Sequence, residues 1–251
     1  MPTTTAASRS YRDTLIVLRT YPLGESDRIV VGLSAHHGLI RTVAKGVRRS
    51  TSKLGARLEP FMISDVSLVY GRNLDTVTQA VTRKAYAAPI VADYVAYTHA
   101  VGIAEVAEYL AQADEETGHQ LYNLTAGALS ALARSAHEVS DIFNSFLIRA
   151  MKIGGWYIET ERCVRCGSED NLRAWSMAGG GLVCDSCAQA GDRPLSAAAV
   201  AYFQSVARGD WESLDSVRNS EVANKVGDLL QRYVQWHVER EFRSFALLER
   251  N

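Results

Sequence analysis

Long apolar runs are absent from this sequence. The longest near the N-terminus, LIVL at Leu15–Leu18, is shorter than a signal-peptide core, and no stretch reaches the roughly eighteen apolar residues that a membrane span needs. A cytoplasmic protein with no membrane partner is expected. Signatures of nucleotide chemistry are missing too: there is no G-x4-G-K-[ST] to cradle phosphates and no G-x-G-x-x-G after a strand to hold a dinucleotide. Neither a G-x-S-x-G elbow nor an H-E-x-x-H helix occurs. The HVE at His237–Glu239 matches the H-x-E of zinc deaminases, but it follows the cysteines instead of preceding them and reads as helix surface. His36 and His37 have no third ligand close by in sequence and read as a solvated hairpin tip. A non-enzyme is the expectation.

Net charge is close to absent as well, −1 over 251 residues, but the cancellation is regional. Residues 1–85 carry 13 Lys+Arg against 6 Asp+Glu, and residues 86–251 carry 14 against 22. A basic front of this kind is the electrostatic footprint of a polyanion. Within it, KGVRRSTSKLGARLEPF (Lys45–Phe61) holds five cations, Lys45, Arg48, Arg49, Lys53 and Arg57, before the first acid, Glu59. Gly46, Ser50, Ser52 and Gly55 give the stretch the composition of a flexible loop.

Five short segments rich in β-branched residues lie between Asp13 and Thr82: DTLIVLRT, DRIVVGLS, LIRTVAKGV, FMISDVSLVYG and LDTVTQAVT. HHG (His36–Gly38) and GRN (Gly71–Asn73) have the length and glycine content of hairpin loops. So few strands close most economically into a small barrel, OB-type by preference and SH3-like as the second choice. After Pro89 the texture becomes helical, with apolar residues three and four apart. In SDIFNSFLIRAMKIGG, Ser140 is the expected cap and Gly154-Gly155 the stop. Ser196 and Gly209 bracket a further helix, and Val222, Val226, Leu229, Tyr233 and Trp236 trace one stripe on the last. The expected fold is α+β and multi-domain. Residues 1–85 form a five-stranded OB-type barrel, 86–159 and 193–251 form the two parts of an α-helical bundle, and 160–192 form an inserted zinc-ribbon module.

Cysteine is confined to 25 residues, C-x2-C at Cys163 and Cys166 and again at Cys184 and Cys187. Clustering argues against a distributed disulfide framework, and two such pairs with seventeen residues between them supply the four-thiolate set that Zn2+ favours. Two disulfides, four free thiols or an iron–sulfur cluster are the other readings, the last with nothing else in the sequence to suggest electron transfer. Four protein ligands leave no open position for water, so one structural rather than catalytic Zn2+ is expected.

On a barrel at residues 11–85, Arg41, Lys45, Arg48, Arg49, Lys53, Arg57 and Arg72 fall on or between the third and fifth strands. Such a row of cations can follow a nucleic-acid backbone by displacing its counterions. Aromatics are scarce before Arg83, only Tyr11, Tyr21, Phe61 and Tyr70, so phosphate contact should dominate over base stacking. Five loop contacts to a single strand predict a salt slope of about −3.5.

VAKGVRRSTSKLGARLEPF followed by GRNLDTV, with SDRIVVGLSAHHGLIRTV upstream, resembles the N-terminal barrel of the RecO recombination mediators. The helical region interrupted by C-x2-C…C-x2-C is similar to the zinc-bearing members. The resemblance implies an OB-fold domain, a helical domain and a zinc module. It also implies binding of single- and double-stranded DNA, annealing of complementary strands, and loading of RecA with RecR and, in many members, RecF. Lys45, Arg48, Arg49 and Arg57 stand at the motif's DNA-contact positions. The resemblance further implies a pocket in the helical domain for the acidic C-terminal tail of single-strand-binding protein, for which Arg134, Arg149 and Lys152 are conceivable cations. The implied location is the cytoplasm, at the nucleoid. A second reading is a zinc-ribbon protein–protein adaptor whose barrel contacts RNA or a ribosomal partner.

Overall fold

A computed structural model describes residues 10–248. These fold as two compact units, residues 10–93 with 104–133 and residues 94–103 with 134–248.

The first unit is built on a closed five-stranded barrel. Its strands are β1 (Ser10–Leu23), β2 (Asp27–Ser34), β3 (Gly38–Ala44), β4 (Met62–Val69) and β5 (Asp75–Ala85), in the order β1-β2-β3-β5-β4. β1 is long enough to serve two neighbours. Ser10–Ile16 pairs with β4 and Leu15–Leu23 with β2, and a bulge between Val17 and Arg19 bends the strand from one to the other. Where β1 and β2 cross closely, Gly32 is required: a Cβ there would lie 2.4 Å from the Ile16 carbonyl oxygen. Parallel pairing of Thr42–Ala44 with Asp75–Val77 closes the ring, an OB-type arrangement that displaces the SH3-like alternative. Leu15, Val17, Val30, Val66, Leu68 and Val77 fill the interior. Each such fully buried side chain contributes roughly 1.5–3 kcal/mol relative to exposure.

Helices α1 (Ala87–Val91), the second half of α2 (Tyr94–Leu110) and α3 (Glu115–Ala133) complete this unit. Gly118 of α3 packs so tightly on Gly38 that a Cβ would come within 2.6 Å of the Gly38 Cα, while the Ala35 carbonyl sits 2.7 Å from His119 Nδ1. Glu108 of α2 is buried and takes an ion pair from Arg19.

The second unit holds the start of α2, then α4 (Val139–Ile153), α5 (Ala197–Arg208), α6 (Trp211–Val217) and α7 (Ser220–His237). Between α4 and α5 the chain forms a three-stranded sheet of β6 (Leu172–Ser176), β7 (Gly181–Cys184) and β8 (Arg193–Pro194), ordered β7-β6-β8. Ser196 caps α5 by accepting the Ala199 N–H, and Gly209 ends it at φ 72°, as the sequence leads one to expect. Two expectations need correcting. Helix α4 starts at Val139, with Glu138 as its cap residue, so Ser140 lies inside the first turn. On α7 the buried stripe is Ala223, Val226, Leu230, Tyr233 and Val234, rotated from the expected one so that Trp236 is 53% exposed. On this side Asn144 of α4 donates to the Ala223 carbonyl and lies against Gly227, where small residues let the two helices approach.

Candidate nucleic-acid interface and metal centre

The cationic loop joins β3 to β4, and it is anchored rather than floppy. Val47 and Leu58 are buried in the barrel core, Leu58 being carried there by a 3-10 turn at Ala56–Leu58, and Leu54 packs alongside. At its start, the Asp27 carboxylate accepts the Gly46 N–H at 2.7 Å and the Arg48 N–H donates to the Ser26 carbonyl. The Gly46 N–H, the Ser26 hydroxyl and nearby Lys45 and Arg49 hold Asp27 below the usual carboxylate range. Internal turns from Arg49 to Gly46 and from Ser52 to Arg49 shape the tip. Lys45, Arg48, Arg49 and Lys53 are therefore exposed on an ordered scaffold.

The remaining cations differ in setting. Arg57 is half-buried and donates to the Ala80 carbonyl at 2.9 Å, so its guanidinium braces the barrel. Arg41 is exposed on β3 but stands 3.8 Å from Glu108. Arg72 is exposed on the β4–β5 turn and forms no ion pair among the described residues. Of the four aromatics, Phe61 is core at 2% exposure, and Arg19 lies over the Tyr21 ring at 4.6 Å. Tyr70 is 58% exposed.

Sequence reasoning passed over a polar cluster at the β2–β3 hairpin. The Asp13 side chain is fully buried and accepts from the Ser34 hydroxyl and the Thr14 N–H. Nδ1 of His36 lies 2.9 Å from one of its oxygens and Nδ1 of His37 lies 2.5 Å from the other. Burial pushes this carboxyl up, but the hydrogen bonds from Ser34, His37, His36 and Thr14 outweigh it, leaving the group below its ordinary range. The two histidines are exposed on the hairpin tip, as their sequence suggests, and what the sequence leaves out is their contact with a buried carboxylate, whose only signal is an acid at the start of an apolar strand.

All four cysteine sulfurs lie within 4.8 Å of one another. Cys166 and Cys184 are 3.7 Å apart, close to the roughly 3.8 Å edge of a tetrahedron with metal–sulfur bonds of about 2.3 Å. Cys163 and Cys166 sit on a knuckle closed by the Gly167 N–H donating to the Cys163 carbonyl, which places Gly167 at φ 75°. Burial pushes the Cys163 thiol up, yet backbone N–H groups of Cys184, Arg165 and Cys166 prevail and bring it to about 6, whereas contact with the Cys184 and Cys166 sulfurs pushes Cys187 up to about 12, so a bound cation would be needed to hold all four as thiolates. Arg165 ties the module's ends together, donating to the Cys187 carbonyl at 2.6 Å and pairing with Asp192 at 2.5 Å. The glycine run before the second pair is a fixed turn. Gly181 bridges to Glu159, whose carbonyl would lie 2.4 Å from a Cβ at that position. Trp175 of β6, fully buried, stacks on Phe203 of α5 at 5.1 Å and meets Tyr233 of α7 edge-on, locking the module onto the bundle.

Among the described residues no helix is long and apolar enough to cross a membrane. Residues 9–86 match the family model described as Recombination protein O N terminal, and residues 91–246 match Recombination protein O C terminal. These two matches are consecutive and together cover most of the chain, with the barrel in the first and the helices and cysteine module in the second. The chain therefore belongs to the recombination protein O family, the RecO mediators of DNA repair and recombination.

Proposed function

We propose that this protein anneals complementary DNA strands and, with RecR and RecF, helps load RecA onto single-stranded DNA, without catalysing a covalent step. The observation that carries the reading is the cationic loop, whose four exposed charges project from a scaffold pinned by Val47, Leu58 and Asp27. Pre-ordering limits the entropy lost on binding, and neutralising phosphates on two strands at one surface reduces the repulsion that opposes their pairing. Backbone contact of this kind positions DNA without reading its sequence, as annealing of arbitrary strands requires.

Within the same proposal, residues 1–85 are the nucleic-acid-binding domain, 86–159 and 193–251 the two parts of a helical domain whose residues 86–93 and 104–133 belong to the barrel's compact unit, and 160–192 the zinc module, acting in the cytoplasm at the nucleoid. Cys163, Cys166, Cys184 and Cys187 would hold one Zn2+, whose part is to cross-link the module. For the acidic tail of single-strand-binding protein, the helical domain offers an apolar groove of about 250 Å³ lined by Ala198, Ala201, Leu214, Val217 and Val222, but Asp141 also lines it and its cation, Arg218, pairs with Glu138 at 3.3 Å, so an acidic tail would have to displace that pair. Arg134, Arg149 and Lys152 do not line it.

The test is a strand-annealing assay on the wild type and on the Arg48→Ala, Arg49→Ala, Lys53→Ala triple variant. Annealing by the first, and its loss in the second with fold and metal content intact, is expected. Nucleic-acid binding without any annealing by the wild type would point instead to the adaptor reading.

A further inference from the structure

We propose that the exposed face of Tyr70 is a stacking site for an unpaired nucleobase of a single-stranded polynucleotide. This rests on the reading of the barrel as the DNA-binding unit and gives that unit a preference for unpaired over paired strands. Tyr70 follows the last residue of β4 and is 58% exposed, yet its ring is not loose. It stacks on Tyr11 of β1 with centroids 4.8 Å apart and planes at 29°, and Tyr11 in turn meets His37 at 4.9 Å. The stack brings together residues from the start of β1, the β2–β3 hairpin and the β4–β5 turn.

Asp75 sets the geometry from both sides. One of its oxygens accepts the Tyr11 hydroxyl at 2.6 Å, and the other accepts the Gly71 N–H at 3.0 Å. A Cβ at Gly71 would lie 1.9 Å from the Leu74 carbonyl oxygen, so the turn that carries Tyr70 is held to one tight conformation. A solvated tyrosine needs no such support. A ring fixed in place, with one face covered by another ring and much of its surface open, is what a stacking platform requires, because little rotamer freedom is left to lose on binding.

Beyond Asp75, whose oxygens are taken up by Tyr11 and Gly71, a cation stands near the ring. Arg72 lies two residues on, exposed and without an ion pair among the described residues. A phosphate flanking the stacked base would meet Arg72. Duplex DNA hides its base faces, so a stacking contact is available to an unpaired strand alone, whereas the cationic loop serves both.

The experiment measures binding of a fluorescein-labelled 15-nucleotide single strand, the same strand carrying one 2-aminopurine, and the corresponding duplex. The full chain is compared with Tyr70→Ala, Tyr70→Phe and the triple loop variant. Because Tyr70 is exposed and Asp75 still holds Tyr11, circular dichroism should report an unchanged fold in Tyr70→Ala. Its affinity for the single strand should fall about five- to a hundredfold. The 2-aminopurine quench should be lost, duplex affinity should stay within twofold, and Tyr70→Phe should behave as wild type. Unchanged single-strand affinity in Tyr70→Ala overturns the proposal, as does an equal loss for single strand and duplex. If the loop variant alone loses binding, the DNA-binding reading stands and the stacking site falls. A wild type that binds neither nucleic acid removes both.

Discussion

Asp13 illustrates what a single residue decides here. Its carboxylate organises the β2–β3 hairpin through Ser34, His36 and His37 at once, and its side chain is fully buried. Asp13→Asn keeps the size but cannot accept all of these contacts, and should lower the unfolding free energy by about 1–3 kcal/mol in urea titrations at neutral pH. The pH dependence has a definite sign. Because the folded group titrates below its ordinary value, its stabilisation is present above about pH 4 and is lost as pH falls through the native pKa. The stability gap between wild type and variant should therefore close in acid, and a gap that persists there would show that Asp13 acts by packing alone. The exposed tip at His36 and His37 was legible in the sequence but their bond to Asp13 was not, since a hydrogen-bond partner 23 positions away leaves no local mark. The cysteines are the opposite case, since C-x2-C spacing is itself a statement about geometry.

At the level of elements, strands and helices follow from their apolar periods, and the errors are errors of phase. The period of α7 is legible in its sequence, but the side that faces inward is set by packing partners such as Asn144, which bonds the Ala223 carbonyl from a distant helix. Loop composition misled more. Glycine and serine suggest flexibility between Gly46 and Gly55, whereas Val47, Leu54 and Leu58 anchor that stretch in or against the core. The triple replacement of Arg48, Arg49 and Lys53 should accordingly leave thermal stability within about 0.5 kcal/mol, because none is buried, while abolishing annealing. A matching loss of stability would mean that these cations support the fold. The cysteine module invites a different experiment, metal removal with a strong chelator. Trp175 is wedged between Phe203 and Tyr233, so chelation should shift the tryptophan fluorescence and cost at least about 3 kcal/mol, roughly 6–12 °C in Tm. Chelation with no change in emission or Tm would rule out a metal cross-link.

Across the whole molecule, the near-zero net charge is a poor guide to its partners, because the cations of the basic front and the acids of the remainder cancel only in the sum. Binding should be steeply salt-dependent even so. With Arg57 half-buried on the Ala80 carbonyl, four exposed loop cations remain, Arg48 among them despite its bond to the Gly24 carbonyl, which lowers the expected slope of log K against log salt for single-stranded DNA from about −3.5 to about −2.8. A fluorescence-anisotropy series giving a slope near zero would exclude the loop as the phosphate contact. By itself the sequence determined the strand count, the helical texture, the four-thiolate set and the basic front, because each is written in local spacing or composition. Only the tertiary structure decided the rest. It ordered the loop, withdrew Arg57 from it, buried Asp13 beneath two histidines and set Tyr70 upon Tyr11, since each of these depends on side chains meeting across strands that are distant in sequence.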